Sequence, residues 1–176
     1  EFDHPDFYAC LDEVVATFSE FVAALPPSGH LVVCADDPLC LRLAGEAPCP
    51  VSPYGVEGGA LRAEVLSPNS SRFFEDGREK GVVELGVYGR HNALNSLAAA
   101  AVARWLGHDA YEAARSLKSF GGVRRRLQLK GERSRVRIID DYAHHPTELS
   151  ATLEAARATS GGRLLAVFQP HRYSRT

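Results

Sequence analysis

The sequence contains no methionine, one tryptophan, and only three lysines among its 20 basic residues. It also lacks the run of about 18 apolar residues that a transmembrane helix needs, and it shows no basic segment followed by an apolar one at its start. The 20 basic residues nearly balance 22 acidic ones, for a net charge of −2. This balance gives no electrostatic case for binding nucleic acid or an anionic membrane. We therefore expect neither nucleic acid nor a membrane as a partner.

The four cysteines show no CxxC spacing, and all lie in the first third of the chain. They predict small, buried, reduced thiols rather than a disulfide framework or a zinc site, and hence a cytoplasmic protein. Phosphate loops of the GxxxxGK[ST] form, GxGxxG turns, GxSxG elbows and HExxH helices are all missing. Because methionine is absent and Glu1 opens directly into structured sequence, we expect an internal piece of a longer protein. The pattern leaves the oligomeric state open.

Of the 176 residues, 45% are hydrophobic and 24% are charged, which is the balance of a globular domain. Apolar residues spaced three and four apart predict helices over 10–25, 92–106 and 110–120. A short apolar run predicts a buried strand over 30–35. Apolar and polar residues alternate loosely over 62–88, between clusters of turn-forming residues, which predicts two or three antiparallel strands there.

Beyond Gly121-Gly122 the pattern changes to a strand at 136–140, a helix starting at 146 or 147 and ending at 158, and a strand at 164–168. Strand, helix and strand in this order predict a βαβ unit with parallel strands. The fold class is therefore α/β. The glycine pair marks a predicted boundary between a domain over 1–122 and a second domain over 123–176.

Two polar clusters lie in the first predicted domain. His4 is flanked by Asp3 and Asp6, a combination that could bind a metal or tune a proton transfer, or could simply cap the helix that follows. Asn92 and Asn95 are three residues apart, so both amides fall on one face of a helix start and could read the edge of a planar base. Asn92 could equally be an ordinary N-cap.

Two further clusters follow the glycine pair. The arginines at 124–126 suit bidentate contacts with phosphates, although surface arginines near a linker are also common. The stretches 140–148 and 168–175 each begin where a predicted parallel strand ends. Ligands of open α/β sheets bind at that edge, and these residues are too polar for core packing. They are the strongest candidates for a ligand site.

Taken in order, these stretches resemble the Mur ligase family, the ATP-dependent amide ligases of peptidoglycan synthesis. The matching stretches are DHPDFY (3–8), GRHNALNSLAAAAV (89–102), FGGVRRRLQLKGE (120–132), DDYAHHPTE (140–148) and FQPHRYSRT (168–176). The resemblance implies the second half of a central ATPase domain, followed by the first βαβ unit of a Rossmann-like C-terminal domain. The last two stretches are narrower and imply the member that adds L-alanine to UDP-N-acetylmuramate.

The resemblance also implies a role for individual residues, with ATP and Mg²⁺ as cofactors. His4 corresponds to the histidine of the metal site, and Arg126 and Asp141 correspond to residues that reach the nucleotide. The residues expected around adenine are His91, Asn92 and Asn95. Those expected to hold the incoming amino acid are Tyr142, His144, His171, Arg172 and Arg175, the arginines pairing with its carboxylate. The catalytic set is His4, His144 and Arg172.

Three other interpretations remain open at this point. A murein-recycling ligase attaches a whole tripeptide to the same UDP-sugar and shares part of these motifs. A metal-dependent hydrolase could use Asp140, Asp141, His144 and His145. A non-catalytic nucleotide-binding module is the third. Because no phosphate loop is present, we expect the 176-residue segment alone to be inactive and to bind MgATP weakly or not at all.

Overall fold

A computed structural model describes residues 2–170 of the chain. Its secondary-structure elements, in chain order, are α1 (Leu11–Ala23), β1 (Leu31–Cys34), α2 (Pro38–Ala44), β2 (Val51–Gly55), β3 (Leu61–Ser67), β4 (Ser70–Glu75), β5 (Arg78–Glu84), α3 (Arg90–Trp105), α4 (Ala110–Ser116), β6 (Gln128–Arg133), β7 (Val136–Asp140) and α5 (Pro146–Ala158). A short 3₁₀ turn, Leu117–Ser119, extends α4. The predicted helices and the predicted strand at 30–35 are confirmed to within a few residues.

The first sheet has the order β1-β2-β3-β4-β5. The pairs β1–β2 and β2–β3 are parallel, whereas β3, β4 and β5 form an antiparallel meander, as the alternation over 62–88 predicts. β2 is not predicted by the sequence pattern, because it contains Pro53 and Gly55, residues that normally interrupt strands. Its pairing with β1 brings the carboxyl ends of these two parallel strands to one edge.

The core lies between this sheet and α3. Phe73, Leu61 and Leu97 are its largest fully buried side chains. Small residues on α3 and α4, such as Ala100 and Ala114, are also fully enclosed and let the helices approach closely. Burying an aliphatic or aromatic side chain of this size stabilises a fold by roughly 1.5–3 kcal/mol. The alanine-rich sequence of α3 thus suits a helix packed on a sheet.

The segment after the glycine pair differs from the prediction. β7 pairs with β6 in an antiparallel hairpin, and 163–170 carries no helix or strand. The predicted βαβ unit is therefore wrong for the described residues, although the mixed α/β class is confirmed. A strand needs a hydrogen-bonded neighbour, and in the described part of the chain β7 is paired with β6 alone. Leu165 and Val167 are accordingly 74% and 100% exposed.

All four cysteines are free thiols, as predicted, but only Cys49 is buried and Cys10 is exposed. The prediction of four buried thiols is wrong for Cys10, which lies at the start of α1, where no layer covers it. No helix within residues 2–170 has both the length and the apolar character needed to cross a bilayer.

Candidate functional site

The polar clusters identified in the sequence come together from four separate parts of the chain. The His145 Nε2 atom lies 3.4 Å from the Phe2 carbonyl oxygen, which joins the N-terminal stretch to the loop after β7. The backbone N–H of Tyr142 donates to the Arg125 carbonyl at 2.8 Å, which joins that loop to the segment before β6. His91, at the start of α3, is close enough to the same two segments for their charges to affect its pKa. The clusters therefore lie next to one another in the fold.

The start of α3 is held by side-chain amides rather than by an N-cap side chain. The residue in the N-cap position is Gly89, at φ +105°, so Asn92 is not the N-cap. The Asn92 amide nitrogen donates to the Tyr88 carbonyl at 2.8 Å and lies 3.1 Å from His91 Nε2. Its oxygen accepts from the Asn95 amide at 3.3 Å. Asn92 thus stabilises the helix start, whereas the exposed Asn95 is the amide presented outward.

His91 is a neutral histidine at physiological pH. Burial lowers its pKa below the ordinary value, Asp141 opposes this shift, and the positive charge of Arg126 adds to it. The Asn92 amide N–H can only donate, so His91 Nε2 accepts and the ring proton sits on Nδ1. A neutral ring in this position can pack against or hydrogen-bond a planar ligand without adding charge.

The segment before β6 has a strained backbone. Arg125 and Leu127 both adopt positive φ, at +60° and +47°, a conformation that non-glycine residues rarely take. Asp141 holds it: one carboxylate oxygen accepts from Leu127 N and the other from Ala143 N, both at 2.7 Å. Strain of this kind persists only where the surroundings enforce it, and it concentrates at functional sites. Arg126 lies between the two strained residues.

Arg126 is held at the surface by a carboxylate that the sequence analysis did not single out. Its guanidinium lies 3.3 Å from Glu148, and its side chain remains half exposed. Burial would raise the pKa of Glu148, but the backbone N–H groups of His144 and His145 and the charge of Arg126 bring it below the ordinary value. Glu148 therefore stays ionised and closes a capping box at the start of α5. A Glu three residues after a helix's N-cap position is the signal that could have identified it.

Tyr142 and His144 form the other side of the site. The Arg125 guanidinium lies 4.5 Å from the centre of the Tyr142 ring, and the Tyr142 and His144 rings meet edge to face at 4.9 Å. His144 Nδ1 lies 2.9 Å from the Tyr142 carbonyl, which can only accept, so the ring proton sits on Nδ1. Arg125 is a further residue that the sequence analysis named only as one of three arginines.

His4 lies on the N-terminal stretch that reaches this site. Its side chain is 64% exposed, and its Nε2 atom lies 3.7 Å from an Asp3 carboxylate oxygen. The N-cap residue of α1 is Cys10, so His4 does not cap that helix. Within residues 2–170, no group of three or more His, Cys, Asp or Glu side chains is arranged to hold a metal ion. The described segment alone therefore does not form a complete metal site.

The remaining predicted site residues, His171, Arg172 and Arg175, lie outside the described residues. A cleft of about 540 Å³ separates the start of α3 from α5. It is lined by Val65, Pro68, Gly89, Arg90, His91, Leu94, Thr147, Ser150, Ala151, Glu154, Ala155 and Ala158. A Cβ atom at Gly89 would meet both the His91 ring and Ala155, so glycine allows the two segments to approach.

Two protein-family models match the chain. Residues 1–103 match the Mur ligase middle domain, and residues 125–175 match the domain described as Mur ligase, glutamate ligase domain. The UDP-N-acetylmuramate–L-alanine ligase of Rubrobacter xylanophilus is 71% identical over all of this chain, and that of Clostridium acetobutylicum is 41% identical over 99% of it. The chain spans about two fifths of the length of these relatives, 40% and 39%.

Solved structures of Mur ligases also superpose on this chain. The UDP-N-acetylmuramate-alanine ligase MurC from Thermotoga maritima superposes with a TM-score of 0.72 at 28% identity, over 89% of this chain and 36% of its own. A murein peptide ligase from Psychrobacter arcticus gives 0.64 at 25% identity, over 92% and 34%. MurF from Acinetobacter baumannii gives 0.75 at 24% identity, over 87% and 34%, which shows a shared fold.

Proposed function

The chain belongs to the Mur ligase family, and we propose that the protein containing it joins L-alanine to UDP-N-acetylmuramate with ATP, in peptidoglycan precursor synthesis. The observation that carries this proposal is the 71% identity to an L-alanine-adding ligase over the whole chain. The convergence of the N-terminal stretch, the start of α3 and the two loops around β6 and β7 supports it. Those are the stretches on which the family resemblance rests.

The nucleotide side of the proposed site consists of the start of α3 and the strained segment. We assign Asn95 and the neutral ring of His91 to adenine, with Asn92 holding both in place. Arg126 is assigned to the phosphates, because its guanidinium is held by Glu148 and its side chain remains half exposed. Asp141 supports that arginine by accepting two backbone hydrogen bonds. A direct contact from Asp141 to the nucleotide stays a prediction.

The amino-acid side consists of Tyr142 and His144, with His171, Arg172 and Arg175 assigned from the family resemblance. The arginines would pair with the carboxylate of L-alanine. The His144 ring lies against Tyr142 on this side of the site, and we assign His144 to the proton that the alanine amine must lose. Its geometry is maintained by Glu148, which accepts from the His144 backbone N–H at 3.2 Å.

The proposed chemistry has two steps. The muramoyl carboxylate attacks the γ-phosphorus of ATP, which gives an acyl phosphate and ADP. The alanine amine then attacks the acyl carbon, a tetrahedral intermediate forms, and phosphate leaves as the amide forms and the amine proton is lost. Because two anions must meet in the first step, arginines that neutralise charge lower its barrier. Contributions from both sides of the glycine pair would allow closure to exclude water and protect the acyl phosphate.

Mg²⁺ enters the proposal only as part of MgATP. The family resemblance assigns His4 to the metal, the Asp3 carboxylate lies 3.7 Å from His4 Nε2, and the ATP phosphates and water would supply the other ligands. When bound, the ion would neutralise phosphate charge. We place the reaction in the cytoplasm, since that is where ATP and UDP-sugars are available.

The hydrolase interpretation has little support from the geometry. His144 and His145 direct their rings to different carbonyl oxygens, and both Asp141 oxygens accept backbone N–H groups. Asp140 lies 4.0 Å from Arg125. These four side chains therefore serve separate partners rather than one ion.

Phosphate release from ATP by the intact protein, with UDP-N-acetylmuramate present, tests the proposal. One reaction receives L-alanine and the other receives L-alanyl-γ-D-glutamyl-diaminopimelate. Release only with L-alanine is the expected result. Release only with the tripeptide would identify the recycling ligase, and no release with either would favour a non-catalytic module.

A further inference from the structure

Asp36 is a nearly buried carboxylate that the proposed reaction does not use. It follows the carboxyl end of β1, and its side chain is only 11% exposed. The neighbouring Asp37 is accounted for as the N-cap of α2, where it accepts from Leu39 N. A carboxylate with so little access to water must be compensated by nearby donors. Its partners show what Asp36 holds together.

Asp36 joins three parts of the fold at one edge of the sheet. Its two oxygens accept from the backbone N–H groups of Val56 and Glu57, each at 2.9 Å, just beyond the end of β2. One oxygen also lies 3.3 Å from the guanidinium of Arg90, the first residue of α3. The carboxyl ends of both parallel strands are thereby tied to the start of α3.

Gly55 is required for the observed placement of the Asp36 carboxylate. A Cβ atom on Gly55 would overlap the Asp36 Oδ1 atom and approach the Gly58 carbonyl. Only glycine leaves room for the carboxylate to reach the N–H groups beyond β2. An alanine at position 55 would therefore displace Asp36 without changing either charged partner.

Arg90 joins two carboxylates through one nitrogen. The same terminal nitrogen lies 3.3 Å from Asp36 and 3.2 Å from the exposed Glu57. A single nitrogen of Arg90 makes both contacts, so the single ammonium group of a lysine could also make them. A lysine could not replace an arginine that used two nitrogens in a bidentate contact. Arg90 is the first residue of α3, so this ion pair acts on the start of that helix beside the hydrogen bonds of Asn92.

We propose that the Asp36–Arg90 ion pair positions the start of α3 so that Asn95 and His91 meet the nucleotide, making Asp36 and Arg90 positioning residues for ATP. The inference rests on the proposed function. Neither side chain needs to touch the ligand. Releasing the pair would let the first turn of α3 move relative to the strand ends, and the fit to ATP would weaken while the amino-acid side was unaffected.

The test uses the intact protein and four variants. Arg90→Gln removes the positive charge of the ion pair, and Gly55→Ala displaces the Asp36 carboxylate, which is its negative partner. For both we expect the KM for ATP to rise about tenfold, the equivalent of one charge-assisted hydrogen bond, with the KM for L-alanine unchanged. Arg90→Lys should stay within about twofold of the native protein because one ammonium can make both contacts. Glu57→Gln is the matched control and should also stay within about twofold, since Asp36 still holds Arg90.

Hydrogen exchange of the α3 first turn separates this inference from the proposed function. The N–H groups of Asn92 and Ala93 both donate to the Gly89 carbonyl, so their exchange reports on that turn. We expect exchange to quicken about tenfold in Arg90→Gln and to be native-like in Arg90→Lys. A native protein with no ligase activity would refute the proposed function alone. Unchanged exchange in both Arg90→Gln and Gly55→Ala, or equal increases in the KM for ATP and for L-alanine, would overturn the positioning role.

Discussion

The region from α1 to α4 and the region from β6 to α5 use apolar residues in opposite ways. In the first, a five-stranded sheet and α3 enclose a cluster that includes Phe73 and Leu97. In the second, the buried hydrophobic residues are Ala155 and Ala156, whereas Leu129 and Ile138 of the hairpin are 56% and 61% exposed. The first region is therefore stabilised by its own core. Within the described residues, which span about two fifths of the relatives' length, the second shows mainly hydrogen bonds and ion pairs around the candidate site.

The difference shows how the site is constructed. The start of α3 extends from a well-packed helix, so the amides of Asn92 and Asn95 have a rigid base. The residues of the second region depend on polar contacts such as those of Asp141 and Glu148.

The largest expected effect separates the two regions by packing. Leu97→Ala should lower the free energy of unfolding by about 2–5 kcal/mol, because Leu97 is fully buried and the change leaves a cavity. The same substitution at the exposed Leu129 should cost about 0.5 kcal/mol or less. Urea unfolding of both variants measures this difference. Equal losses would mean that the hairpin has a core comparable to that of the first region.

A smaller effect distinguishes the two asparagines on α3. Asn92→Ala should lower the free energy of unfolding by about 1–2 kcal/mol, because the Asn92 side chain forms hydrogen bonds with Tyr88, His91 and Asn95. Asn95→Ala should leave stability within about 0.5 kcal/mol and should raise the KM for ATP in the intact protein. Thermal unfolding together with ATP kinetics checks both. A stability loss in Asn95→Ala as large as that in Asn92→Ala would assign Asn95 a structural role.

Glu148→Ala tests the polar character of the second region. We expect faster hydrogen exchange in the first turn of α5, equivalent to about 1 kcal/mol of local stability, because the capping box and the contact to Arg126 are both lost. Glu154→Ala, at an exposed position further along the same helix, is the control and should change that exchange little. If the two variants behaved alike, the capping box would not be what holds this end of α5.

The smallest effect is a pH dependence that arises at the junction of the two regions. The folded-state pKa of His91 is lowered by burial, so the unfolded chain takes up a proton first as the pH falls below about 6.5. Stability is complete above that pH and declines as the pH falls toward the lower, folded-state pKa. In His91→Gln this part of the decline should disappear, whereas it should persist in His108→Gln, at an exposed position. Unfolding midpoints between pH 7.5 and 5 provide the measurement. An identical decline in His91→Gln would show that His91 is not its source.

The sequence predicted elements well where periodicity and burial agree. The apolar spacing of α1, α3 and α5 and the alternation of β3 to β5 were sufficient, because each element satisfies its own hydrogen bonds or pairs with its nearest neighbour in the chain. The strand at 164–168 was predicted in the same way, but Leu165 and Val167 form no strand in the described residues. A strand's existence depends on a partner that local sequence does not specify.

The sequence by itself determined the family, the mixed α/β class and the stretches that carry the candidate site, because motif spacing and periodicity are properties of the chain alone. Only the tertiary structure decided which groups do which work. In the folded chain, the Asn92 side chain holds the start of α3 and the Asn95 side chain is exposed. The fold also places Asp36 against Arg90, 54 residues away. Hydrogen-bond partners, burial and the direction of a pKa shift depend on distances between remote segments, and those distances exist only once the chain has folded.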